Sequence, residues 1–90
     1  MALVRIPNTL RSLTDGAGEL TADGADLAAV LAALEARHPG FEERLLTEDG
    51  RLQGFVNVFI DDMECRRLAG LAAPVDAGTV VSIVPAVAGG

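Results

Sequence analysis

The chain closes on Pro85-Ala86-Val87-Ala88-Gly89-Gly90, directly after a run that reads as a strand. A bare di-glycine there presents a terminal carboxylate on a slender lead. Gly89 and Gly90 have no Cβ and can thread a channel too narrow for side chains. Gly90 would then carry the reacting atom, although glycines at a chain end also fit simple fraying. Other groups with chemical potential are few. Cys65 is the one cysteine and His38 the one histidine, which excludes an internal disulfide and any His/Cys metal cluster and gives a Ser-His-Asp triad little support. His38 reads as the last residue of a helix, and Cys65 as an apolar strand-face residue before it is a nucleophile. There is no phosphate-cradling Gly-rich loop. The expectation is therefore a protein without an independent active site, whose working group is its own terminus.

Ninety residues, half of them hydrophobic, suffice for one domain with a modest core. With three Phe and no Tyr or Trp, that core must be built from Leu, Val, Ile and Ala. The net charge of −6 speaks against nucleic acid, which demands positive charge, and against anionic membranes. It would attract a basic partner face. All seven cationic side chains are Arg, so an activated terminus would find no lysine on its own chain. The opening Met-Ala-Leu-Val-Arg-Ile lacks the pattern of a signal peptide, and no apolar run is long enough to span a bilayer. A cytoplasmic location is expected.

The elements that must carry the tail follow from periodicity. Leu3 to Ile6 alternates as a strand, Pro7 interrupts it, and Thr9 to Leu13 is expected to continue as an extended or bent segment. Asp15 to Gly18 has the residues of a turn, returning through Glu19 to Thr21. Asp26 is the expected N-cap of a helix whose stripe is Leu27, Val30, Leu31 and Leu34. Arg37 and His38 suit its C-terminus, and Pro39-Gly40 stops it. Phe41 to Leu46 forms a short second helix or turn with Phe41 and Leu45 inward. Phe55 to Ile60 is a strong strand, Asp61-Asp62 a turn, and Met63 to Arg66 a return strand. Leu68 to Ala73 is a compact connection, and Thr79 to Val84 the last strand, which Pro85 ends. A single amphipathic helix on one face of a mixed sheet is a two-layer α+β arrangement.

The ending Val-Ser-Ile-Val-Pro-Ala-Val-Ala-Gly-Gly, residues 81–90, resembles the C-terminus of the ubiquitin-like sulfur carriers. These comprise the small subunit of molybdopterin synthase, the thiamine-pathway carrier ThiS and the CysO-like carriers of cysteine biosynthesis. The run Leu-Gln-Gly-Phe-Val-Asn-Val-Phe-Ile, residues 52–60, is similar to the third-strand segment of the molybdopterin and cysteine carriers. Val4-Arg5-Ile6-Pro7 with Leu10-Arg11 is similar to the start of the cysteine carrier, the nearest in look. The family commonly has Gly-Asp in the turn before the last strand; here it is Gly78-Thr79, and Cys65 stands where a hydrophobic residue is commoner.

The resemblance implies a β-grasp fold over 1–84, with the first and last strands central and parallel, and a flexible sulfur-carrying tail over 85–90. It implies that a ubiquitin-activating-type adenylyltransferase consumes ATP to activate Gly90, with no cofactor stably bound by the carrier. Sulfur then enters as a thiocarboxylate and passes to an accepting enzyme. That acceptor is cysteine synthase-like in the favoured reading, with a metallopeptidase releasing the product, or the large subunit of molybdopterin synthase in the alternative. A protein modifier joined to lysines and an inert ubiquitin-like binding module remain as further readings. Gly89 and Ala88 keep the tail thin, and Val87 would fill a small groove. The docking face is expected on the sheet side opposite the helix, drawing on Phe59, Leu68, Leu71, Arg66 and Arg67, each of which equally fits an ordinary structural or solvated position.

Overall fold

A computed structural model describes residues 1–85. Five strands, β1 (Ala2–Arg5), β2 (Glu19–Ala22), β3 (Val56–Ile60), β4 (Met63–Glu64) and β5 (Val80–Pro85), form one sheet in the order β2-β1-β5-β3-β4. Helix α1 (Leu27–Arg37) and the short α2 (Phe41–Leu45) join its two halves. β1 and β5 run parallel in the sheet interior, with Leu3 opposite Val80 and Arg5 opposite Ser82; the other pairs are antiparallel. This is the β-grasp arrangement expected from the resemblance.

The physical origin of α1 is plain. Asp26 takes extended backbone and its Oδ1 accepts from Ala29 N at 2.9 Å, satisfying an amide that the first turn leaves unpaired. Leu27, Val30, Leu31 and Leu34 are all buried, packed in one core with Val4, Val58, Val81 and Ile83 from the sheet. Each such side chain contributes about 2 kcal/mol through burial. Gly40 at φ 117 opens α2, and the Glu35 carboxylate accepts from Gly40 N and Glu42 N, sealing the corner.

Several expectations need correction. Thr9 to Leu13 is not extended: Asn8–Thr14 is a 3-10 helix. Leu10 and Leu13 are three apart, so a strand would send them to opposite faces, whereas a 3-10 turn stacks them on one. Leu10 is buried and Leu13 packs beside the core. Arg11 Nε donating to Ile6 O and Thr14 Oγ1 donating to Ala17 O hold the loop. Similarly, the strand expected through Arg66 stops at Glu64, whose carboxylate accepts from Arg66 N and caps a 3-10 turn over Cys65–Arg67. Cys65 therefore lies in that turn, fully buried, rather than on a strand. Pro85 does not end the ladder; it pairs with Val56.

Candidate functional site

The expected working residues Val87, Ala88, Gly89 and Gly90 lie outside the described residues. What the structure displays is the root from which the tail leaves. β5 carries the chain through the middle of the sheet, anchored by Val81 and Ile83, both buried. Asp61 N donates to Val80 O at 2.8 Å. Since antiparallel pairs alternate, Asn57–Val84 and Phe59–Ser82 share that facing geometry, while Val56–Pro85 does not. The missing N–H of Pro85 thus costs no bond to β3, which is why a proline is tolerated there.

Beside this root lies an apolar hollow of about 260 Å³, lined by Thr9, Leu10, Arg44, Leu45, Phe55, Val56 and Pro85. Phe55 is 52 % exposed and Val84 45 % exposed, so two large apolar side chains flank the end of β5 in water. Neither was singled out from the sequence. Phe55, the expected first residue of the strand to Ile60, lies just before β3, which begins at Val56; Val56, Val58 and Ile60 take the buried positions, and extending that alternation backward turns Phe55 outward.

The expected docking residues do not form one patch. Phe59 is half-buried on the sheet face away from α1, in a row with Ser82 and Glu64. Leu68 is exposed and so is Arg67. Leu71 packs against the core, and with Arg66, Arg51 and Leu52 it borders a separate shallow hollow. Arg66, itself exposed, folds back along the surface of the protein: Nη2 donates to Gln53 O at 2.8 Å and Val56 O at 2.9 Å, and Nη1 to Glu64 Oε2 at 3.1 Å and Asn57 Oδ1 at 3.4 Å.

Burial of Cys65 pushes its thiol pKa up, and the Glu64 carboxylate beside it adds to the effect, so the reactive thiolate is suppressed. His38 closes α1 as its C-cap, its amide donating to Leu34 O. Among the described residues no group of His, Cys, Asp and Glu is arranged to hold a metal, and no helix is long and apolar enough to cross a membrane. The described residues thus offer a scaffold and a chain exit.

Comparison with known proteins finds relatives along nearly the whole chain. The family model described as "ThiS family" matches residues 4–90. The sulfur carrier protein CysO of Mycobacterium tuberculosis is 43 % identical over 89 residues, covering 97 % of this chain and 96 % of the relative. Its crystal structure superposes with a TM-score of 0.92, covering 97 % of this chain and all of the other. A CysO from Amycolatopsis orientalis, solved in complex with BexX, gives 0.94 at 39 % identity with both chains fully covered. Small archaeal modifier protein 3 of Haloferax volcanii is 43 % identical over 68 residues, 76 % of this chain and 73 % of its own.

Proposed function

The chain belongs to the ThiS family and is a CysO-like sulfur carrier, and from that premise we propose that the Gly90 carboxylate is the atom group on which sulfur travels. The carboxylate oxygen attacks the α-phosphorus of ATP in a separate adenylyltransferase, and pyrophosphate leaves. A sulfur donor then displaces AMP from the acyl carbon, leaving a C-terminal thiocarboxylate. That sulfur is ionised near neutral pH and nucleophilic, and attacks the β-carbon of an activated serine in an accepting enzyme of cysteine biosynthesis, expelling the group that activates the serine oxygen and forming a thioester. The Gly90 acyl group then passes from sulfur to the amine of the same cysteine, and a metallopeptidase hydrolyses that amide, which frees cysteine and restores the Gly90 carboxylate.

One observation carries this reading. The match to a sulfur carrier spans the chain from Val4 to Gly90, while the described body has its single thiol buried and suppressed. Five residues beyond Pro85 reach roughly 17 Å at full extension, enough to enter a partner's active site.

The test is intact mass before and after incubation with the host's adenylyltransferase, ATP and a sulfide source. The gain expected is that of one sulfur in place of one oxygen, localised to the tail and absent when Gly89-Gly90 are deleted. No gain with a demonstrably active partner enzyme sinks the proposal. A stable assembly with a molybdopterin synthase large subunit would redirect the acceptor to molybdenum cofactor synthesis. The archaeal modifier among the relatives favours a second reading, attachment of Gly90 to lysines of other proteins; it requires conjugates of higher mass in cell extract.

A further inference from the structure

β4 is two residues long, whereas β3, which it flanks, is five. By the alternation of an antiparallel ladder, Val56, Val58 and Ile60 direct their backbone groups away from β5 and toward the β4 edge. Ile60 meets Met63 there. Further along, the chain has turned off into the Cys65–Arg67 helix, and on this edge no strand among the described residues pairs with Val56. A sheet carbonyl without a donor is a loose end of the ladder.

Arg66 fills that place. One of its nitrogens bridges Gln53 O and Val56 O, and the other reaches Asn57 Oδ1 while pairing with Glu64. Glu64 in turn is fixed by accepting from Arg66 N. The planar fork of a guanidinium can serve several acceptors together; an ammonium is a point charge and cannot span them. The residues clamped in this way, Val56 and Asn57, are the ones paired with Pro85 and Val84, the last described residues before the tail.

We propose that Arg66 is a positioning residue for sulfur transfer: it stands in for the missing length of β4 and holds the tail's root at a fixed place and direction. It is therefore a part of the carrier's own frame rather than a contact to the partner. The inference rests on the sulfur-carrier reading in one respect, that the tail must be delivered into another protein. A loosened root adds backbone freedom that must be lost when the tail engages, and that loss falls on binding.

The test compares Arg66→Ala, Arg66→Lys and Glu35→Ala, the last weakening a remote corner as a control for general destabilisation. Amide hydrogen exchange by NMR, on the free carrier, reads the frame without any partner. In Arg66→Ala, exchange at Asn57 and Val84 should accelerate more than at Val4 or Leu31, with partial recovery in Arg66→Lys; Glu35→Ala should show no such local excess. With the adenylyltransferase, the KM for the carrier should rise roughly five- to tenfold in Arg66→Ala, the cost of ordering about one more residue, with kcat little changed. Unchanged exchange overturns the proposal. So does a raised KM with unchanged exchange, which would make Arg66 a direct contact, and so does faster exchange with unchanged KM. If the unaltered carrier is never adenylated, the sulfur-carrier reading fails on that result, and with it the role in transfer, while the exchange data still judge the clamp.

Discussion

At the scale of single residues, the proposed chemistry and the observed packing fall on different residues. Gly90 is proposed to carry the reacting carbon, and a Cβ there would meet the walls of any channel sized for glycine. Gly90→Ala is expected to reduce adenylation sharply while leaving Tm unchanged; full activation in an ATP–pyrophosphate exchange assay would defeat the channel argument. Cys65 makes the opposite case. Its thiol pKa is raised by burial, with Glu64 adding to it, so the folded state favours the protonated form. The stability this contributes is fully present below the pKa of the unfolded thiol and is lost as pH rises through the higher folded value. Chemical denaturation across the alkaline range should show a decline that is shallower in Cys65→Ala. In the native protein at neutral pH an alkylating reagent should spare Cys65, so that label acquired after sulfide treatment reports the tail. Fast labelling of Cys65 in the untreated protein would contradict its burial.

At the scale of elements, the corner leading into α1 is held by close approach rather than by bonds alone. A Cβ on Gly24 would lie 2.6 Å from Val30 N and 2.9 Å from Ala29 C, both backbone atoms that cannot yield independently. Gly24→Ala should therefore destabilise by about 1–3 kcal/mol, the usual cost of overpacking. Asp26→Ala, which removes the cap on Ala29 N, should cost about 1 kcal/mol. Urea denaturation of both variants checks the ranking, and a neutral Gly24→Ala would show that the β2–α1 junction can shift. The same scale explains where local reading failed. Leu10 and Leu13 resembled strand residues because no local signal shows on which side the core lies. The β4 strand was read two residues too long because Glu64 as a cap is visible only once its carboxylate is seen on Arg66 N.

At the scale of the whole molecule, the buried core of the described residues is drawn from residues 2–83, and it is expected to fold without residues 86–90. Truncation after Pro85 should leave the thermal transition in place and abolish sulfur loading; a lowered Tm would mean that the tail packs on the body. The net charge of −6 should also act at long range. Association with an adenylyltransferase of basic docking surface should slow as ionic strength rises, because exposed charges are screened beyond about 10 Å at 0.1 M salt. Stopped-flow rates independent of salt would place recognition in apolar contacts such as Phe55, Phe59 and Val84.

Residue order alone determined whatever depends on neighbours along the chain. The Leu27–Val30–Leu31–Leu34 stripe, its Asp26 cap and the stop at Pro39-Gly40 follow from helical periodicity and local hydrogen bonding, and the β3 and β5 runs from their apolar alternation. The Gly89-Gly90 ending is read from the sequence alone, since both residues lie outside those the structure describes. The parallel β1–β5 pairing came with the family resemblance, since no local rule selects which strands meet. Tertiary structure decided what depends on residues far apart in sequence. It showed that Leu71 packs on the core, that Phe55 stands in water beside Pro85, and that Arg66 reaches back to Gln53 and Val56 in place of a missing strand. Such long-range contacts form only when packing brings distant backbone groups within hydrogen-bond distance, and side-chain type alone does not encode which carbonyls will lack a donor.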